Sequence, residues 1–191
     1  KVAGYKNSLP QVYFEFGCHS GRTFSAAVNA ANYIGLDEAQ FFAFDSFQGL
    51  PNTKKSEDGI FQEGEYSTGI KEFKKIIKKN TGLILDDKNI IEGFYSDSLS
   101  ESLQETLPQA GIVHIDVDLY TSTVEVLKFI KPLIVKGSVL IFDDWYCFPV
   151  GEAKGERLAL EEFLLENKAF TVEEWKSYST FGKSFFITSI N

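Results

Sequence analysis

The chain of 191 residues has no methionine, two cysteines (Cys18 and Cys147) and two histidines (His19 and His114). Two cysteines build no disulfide framework, and a chain of this length can bury a full hydrophobic core without one. A reducing cytoplasm is the expected compartment. With no methionine at position 1, the natural start is expected upstream of Lys1. Positive charge is scarce: 19 Lys and Arg stand against 27 Asp and Glu, for a formal charge of −8. That balance argues against a nucleic-acid-binding surface. The one basic cluster, 71–79, alternates with Phe73, Ile76 and Ile77 and reads as an amphipathic helix with a solvated face. No apolar run reaches the roughly 20 residues that span a bilayer. The longest, 130–142, is broken by Lys131, Pro132, Lys136 and Gly137, and no signal peptide is visible. Neither a membrane nor a nucleic acid is an expected partner.

What is present is a repeating strand, turn and helix. Short apolar, β-branched or aromatic runs at 12–16, 41–45, 89–92, 112–116 and 138–142 predict strands. Helical spacing covers 22–33, 70–79, 97–107, 121–130 and 156–166, with Pro108 ending the third helix. This alternation predicts an α/β fold with a doubly wound, mostly parallel sheet whose strands are buried on both faces. The tail departs from it: 170–175 and 184–189 read as two strands joined through Gly182, a C-terminal antiparallel hairpin. The polar, glycine-rich loop 48–69 is long enough for a lid or binding loop. No linker or repeat interrupts the chain, so residues 1–191 are expected to form a single domain.

Ligands in doubly wound sheets sit beyond the carboxyl ends of the strands. Here those ends are acidic: Glu15, Asp45, Asp116 and the pair Asp143–Asp144. One such carboxylate is a common helix cap. Several on one edge repel one another unless a cation or ligand hydroxyls compensate. The first turn, Glu15-Phe16-Gly17-Cys18-His19-Ser20-Gly21, lacks the third glycine of a dinucleotide fingerprint. Gly17 allows a tight turn there and Gly21 a close approach of backbone to ligand, with the free N–H groups of the next helix beyond. Asp45 can accept hydrogen bonds from ribose hydroxyls; the alternative is a turn cap. Asp116, Asp143 and Asp144 offer oxygen donors suited to a hard cation such as Mg²⁺. Zinc is disfavoured, because neither His nor Cys accompanies these acids in the sequence. Asp118 and Asp144 could instead cap the segments that follow. His114 reads as a core residue and Cys147 as packing, while His19 could touch a ligand.

The segments Glu15-Phe16-Gly17…Gly21, Asp45-Ser46-Phe47-Gln48-Gly49-Leu50-Pro51, Gly93-Phe94-Tyr95-Ser96-Asp97, Asp116-Val117-Asp118-Leu119-Tyr120-Thr121-Ser122-Thr123 and Phe142-Asp143-Asp144-Trp145-Tyr146 occur in this order through most of the chain. In them the chain resembles the class I S-adenosylmethionine-dependent methyltransferases, and most closely the metal-dependent macrocin O-methyltransferase family. The resemblance implies a seven-stranded, Rossmann-like sheet with its last strand antiparallel. It places Glu15, Gly17, Gly21, Thr23, Asp45, Ser46, Tyr95, Ser96 and Asp116 at the cofactor, with Thr23 holding its carboxylate and Tyr95 and Ser96 flanking the adenine. It places Mg²⁺, or another hard divalent cation, on Asp116, Asp143 and Asp144. The base would be Asp118 or Asp116, since the lysine of catechol-type relatives is replaced here by Leu119 and Tyr120.

The activity implied is transfer of a methyl group from S-adenosylmethionine to a hydroxyl of a small molecule, a sugar or a phenol. A homodimer is one assembly that the resemblance allows. Relatives usually carry an N-terminal helical part, whereas only 1–11 precede the first strand here. Tyr66, Trp145, Tyr146 and Phe148 are therefore the candidate pocket walls, and the stretch 146–155 could move. Two other readings compete. A cofactor-binding protein without chemistry, serving as a sensor or assembly component, is disfavoured by retention of all three metal acids. A dinucleotide-dependent oxidoreductase is disfavoured by the missing glycine.

Overall fold

A computed structural model describes residues 9–51, 63–149, 151–152 and 154–190. The segment 1–8, the centre of the expected lid (52–62), and Val150 and Ala153 of the stretch 146–155 lie outside the described residues. Seven strands form one sheet: β1 (Val12–Phe16), β2 (Gln40–Asp45), β3 (Ile90–Glu92), β4 (Ala110–Ile115), β5 (Ile134–Phe142), β6 (Phe170–Tyr178) and β7 (Gly182–Ile190). Their order is β3-β2-β1-β4-β5-β7-β6. The first five run parallel; β7 enters antiparallel between β5 and β6. This is the doubly wound sheet with a C-terminal hairpin that the alternation predicted. No helix among the described residues is long and apolar enough to cross a membrane.

The helices are α1 (Arg22–Ile34), α2 (Ile70–Thr81), α3 (Tyr95–Ser98), α4 (Glu101–Gln104), α5 (Tyr120–Ile130) and α6 (Gly155–Glu166). The single helix expected over 97–107 is two short ones. Leu99 leaves the helical conformation, and the Ser100 hydroxyl accepts a hydrogen bond from the Leu103 N–H at 3.2 Å, capping α4. Serines offer the backbone such local partners and so divide a helix that spacing alone would continue. The lysines of α2 behave as a solvated face: Phe73 and Ile77 are fully buried, while Lys74 pairs with Asp87 and Lys75 with Glu72.

The strand alternation divides the core. Phe14, Phe16, Phe44, Ile115, Leu140 and Phe142 pack towards α5 and α6, with Phe16 stacked on Phe44 at 4.3 Å. Tyr13 and Phe41 face α1 and α2 with Phe24, Val28, Phe73 and Ile77. Among the described residues this second cover reaches β1, β2 and, through Ile90, the start of β3. Ile112 of β4 and Trp175 of β6 are 41% and 56% exposed beside an apolar groove. Among the described residues, burial on both faces, expected for the whole sheet, therefore holds for one half of it.

Backbone bonds continue past the strand ends. Gly17 N–H donates to Phe44 O (2.9 Å), Asp116 N–H to Phe16 O (2.9 Å) and Asp143 N–H to Ile115 O (3.0 Å). Gly17, Asp116 and Asp143 thus stand in one row. β1 lies between β2 and β4, so the crevice between oppositely directed connections opens at this row. Gly17 has φ +81°, and a Cβ there would lie 1.7 Å from Asp116 O. Gly82, the C-cap of α2, has φ +77° with nothing within 4 Å of its Cβ position. Chemical denaturation should therefore find Gly82→Ala destabilised by about 1–2 kcal/mol, the left-handed backbone cost alone. Gly17→Ala should lose at least about 2 kcal/mol more, because backbone must move. Equal losses would contradict the close approach.

Candidate active site

A cavity of about 890 Å³ opens beyond the carboxyl ends of β1, β2, β4 and β5. Of the residues expected in the site, Glu15, Gly17, Thr23, Asp45, Ser46, Tyr95, Ser96, Asp116, Asp118, Asp143 and Asp144 all line it. Gly21 does not. A Cβ there would meet Ile77 Cδ1 at 2.6 Å and Phe73 Cε2 at 2.9 Å, so the approach it permits is of α1 to α2. His19 lines the cavity, while His114 is buried in the sheet, as its apolar strand predicted.

Asp45 organises the first loop. Its Oδ2 accepts from Cys18 N (2.7 Å) and His19 N (2.9 Å), and its Oδ1 from Phe47 N (2.6 Å). The turn-cap reading of this residue is thus realised, and lone pairs on two oxygens leave capacity for a ligand. The Ser46 hydroxyl is taken up by its own turn, donating to Gly49 O at 2.7 Å and accepting from Gln48 N at 3.0 Å. Tyr95 stands edge-on to Phe16, with its hydroxyl on Phe44 O at 3.3 Å. The N-cap of α1 is Gly21, which brings no side chain to cap the helix. Glu15, buried beneath, accepts from the Phe24 N–H and from the Tyr13 hydroxyl. Burial pushes its pKa up to about 8. His114 Nδ1 lies 3.9 Å from Glu15 Oε2, and burial lowers the His114 pKa to about 4. Both shifts oppose ionisation, so at neutral pH this contact is an acid beside a neutral imidazole, not an ion pair.

Asp116 and Asp118 follow β4, and Asp143 and Asp144 follow β5. Burial pushes Asp116 up to about 9, with repulsion from Asp143 and Asp144 added. Asp118, in the left-handed region at φ +60°, lines the cavity beside Asp144. Burial and the charge of Asp144 raise Asp118; burial also raises Asp144. The Oδ2 of Asp144 is buried without a hydrogen-bond partner. An all-oxygen donor set with an orphaned carboxylate oxygen fits a hard cation in its chemistry. Among the described residues, no three acidic, His or Cys side chains converge on one ion in their present rotamers.

Supports that spacing did not reveal surround these acids. The Cys147 thiol donates to Asp144 Oδ1 at 3.0 Å, so a cysteine does accompany the acids, contrary to the sequence expectation. Burial raises its pKa first, then its bond to Asp144, which keeps it a neutral donor rather than a thiolate ligand. Glu156 Oε2 accepts from Asp144 N at 2.9 Å. Of the expected walls, Tyr66 lines the cavity, beside His19 at 5.6 Å between ring centroids. Trp145 does not: it packs into the core against Phe142 and Phe185 at 5.4 and 4.7 Å. Tyr146 turns to Ser177, and Phe148 lies against Gly155. Phe181, from the turn between β6 and β7, takes the wall position instead.

A model of the macrocin O-methyltransferase family (TylF) matches residues 6–169. No curated protein matches the chain. Among solved structures, the O-methyltransferase NovP superposes with a TM-score of 0.76 at 18% identity, covering 94% of this chain and 73% of that one. The calicheamicin methyltransferase CalS11 gives 0.68 at 18%, covering 93% and 72%. An O-methyltransferase from Bacillus cereus, solved in complex with SAH, gives 0.54 at 11%, covering 94% and 74%. These likenesses share the fold described above.

The pKa directions set a pH dependence of stability. Glu15 holds its proton up to about pH 8 when folded, but releases it above 4.5 when unfolded. The folded state binds the extra proton between those values, so stability falls as pH rises through that window, by up to about 1.4 kcal/mol per unit. Asp116, at about 9, acts in the same direction. His114, at about 4 against 6.5, opposes only below pH 6.5. Denaturant titrations of ligand-free protein between pH 6.5 and 8 should show this fall, and Glu15→Gln should make it shallower. A slope that is equal in the variant would contradict a protonated Glu15.

Proposed function

The chain belongs to the macrocin O-methyltransferase family, and on that premise we propose that it transfers the methyl group of S-adenosylmethionine to a hydroxyl of a small molecule, assisted by a divalent cation. The observation that carries this reading is one cavity with two halves: a backbone-lined half at Gly17, Asp45 and the start of α1, and an acidic half at Asp116, Asp118, Asp143 and Asp144. S-Adenosylmethionine suits the first half. The start of α1 at Arg22 and Thr23 favours its carboxylate. Asp45 has acceptor capacity for ribose hydroxyls, and Tyr95 and Ser96 border the place expected for the adenine.

Asp116, Asp143 and Asp144 would hold the cation, with the orphaned Oδ2 of Asp144 as the donor that has most to gain. Bound there, Mg²⁺ would stabilise the ionised form of an acceptor hydroxyl. Asp118 is the base we favour over Asp116. It lines the cavity from a left-handed backbone, and a carboxylate raised towards neutrality suits removal of a hydroxyl proton. Much of the rate would come from alignment of acceptor and donor in a fixed cavity. The half-exposed Tyr66 and Phe181 offer aromatic faces to the acceptor. Such faces suit the apolar side of a sugar ring or a phenol; the family favours the sugar. We place the protein in the cytoplasm.

Two measurements test this reading. In thermal shift, S-adenosylhomocysteine should raise the melting temperature while NAD leaves it unchanged, since only a ligand of the native state stabilises it. A shift with NAD and none with S-adenosylhomocysteine would overturn the cofactor assignment. Asp143→Ala should lose metal-stimulated methyl transfer by at least about 100-fold, the upper range for disturbing a metal site's surroundings. Calorimetry should find its affinity for S-adenosylhomocysteine unchanged. Equal turnover by variant and parent across a Mg²⁺ titration would place the cation elsewhere.

A further inference from the structure

Tyr178, the last residue of β6, has no part in the reading above, yet it reaches the acidic row from the far edge of the sheet. Its hydroxyl lies 3.0 Å from Phe142 O, 3.2 Å from Asp143 Oδ1 and 3.5 Å from His114 Nε2. A phenol has a single proton to donate. A carboxylate is the stronger acceptor, because charge assistance roughly doubles the strength of the bond. His114 Nε2 can serve the phenol oxygen in return when it carries the ring proton.

The backbone is built to admit this ring. Gly182 opens β7 directly across from Tyr178. A Cβ at Gly182 would lie 2.4 Å from Tyr178 Cζ and 2.6 and 2.7 Å from the adjacent ring carbons. Ser179, which follows the tyrosine, takes the left-handed region at φ +53°. The same turn delivers Ser179, Thr180 and Phe181 to the cavity wall. The terminal hairpin is therefore a component of the site as well as an edge of the sheet.

We propose that Tyr178 is a positioning residue whose hydroxyl fixes the Asp143 carboxylate for the divalent cation. The inference rests on the cation reading given above. Hydrogen bonds to a metal-ligating carboxylate hold its orientation, and losing one commonly costs 10–100-fold in metal affinity. Tyr178→Phe keeps the ring and removes only the bond. Gly182→Ala keeps the hydroxyl and displaces the ring.

The test is binding of Mn²⁺ to the full chain, read from the electron paramagnetic resonance of free Mn²⁺, with calorimetry of S-adenosylhomocysteine beside it. Both variants should bind Mn²⁺ about tenfold more weakly, or worse, than the parent. Their affinity for S-adenosylhomocysteine should be unchanged. In turnover, Tyr178→Phe should need more Mg²⁺ for half-maximal rate and recover most of the parent rate at saturation. If Tyr178→Phe melts lower but binds Mn²⁺ like the parent, the hydroxyl serves Phe142 alone and the proposal is overturned. Parent-like Mn²⁺ affinity in Gly182→Ala overturns it as well. If the parent itself binds no Mn²⁺, the cation reading falls and this inference with it, a result distinct from the other two.

Discussion

Asp116, Asp118, Asp143 and Asp144 occupy one crevice, and mutual repulsion among them is the constraint to which the rest of the site responds. Two unit charges 4 Å apart near a protein surface repel by about 4 kcal/mol. A domain whose net stability is about 5–15 kcal/mol cannot hold several such pairs fully ionised without compensation. In the ligand-free protein the compensation is protons: Asp116 and Asp118 are both shifted towards the neutral form. A divalent cation would replace those protons. On the proposed reading the site passes between two charge states, and the fold has to hold the carboxylates in place through both.

It does so with backbone first and neutral donors second. The row of Gly17, Asp116 and Asp143 is set by consecutive inter-strand bonds, which carry the sheet's bonding past the strand ends. Around it stand groups that orient the acids without adding charge: the Cys147 thiol on Asp144 and the Tyr178 hydroxyl on Asp143. Glu156 holds the Asp144 N–H. Across the cavity Asp45 does the converse, gathering the Cys18 and His19 N–H groups of the glycine turn and the Phe47 N–H of its own loop. Each of these supports comes from a different element, so the site depends on the whole sheet order, including the antiparallel hairpin.

The parallel strands and the hairpin were legible in the sequence, because short apolar runs between glycine- and acid-bearing turns have few other uses. The acidic strand ends were legible for the same reason: a carboxylate that closes a buried run has to face something polar. The break at Leu99 was hidden, because helical spacing persists through it and only the Ser100 cap divides it. Gly21 was misleading, since the need for a glycine does not say whether ligand or helix approaches. Trp145 was read as a wall because little chain precedes the first strand to close the pocket, but its indole gains more from Phe142 and Phe185. Tyr178, Glu156 and Phe181 carried no local signal. Their contacts depend on strand register and helix placement across long stretches of chain, which no motif records.

The central claim is that the methyl donor and the cation share one cavity. Paramagnetic broadening of the S-methyl proton resonance of S-adenosylmethionine tests it most directly, with the protein loaded with Mn²⁺ and compared with Mg²⁺. Strong broadening is expected with Mn²⁺, lost on chelation and absent in Asp143→Ala, which still binds the donor. A bound donor whose methyl resonance is unaffected by Mn²⁺ would place the two in separate sites and contradict the account.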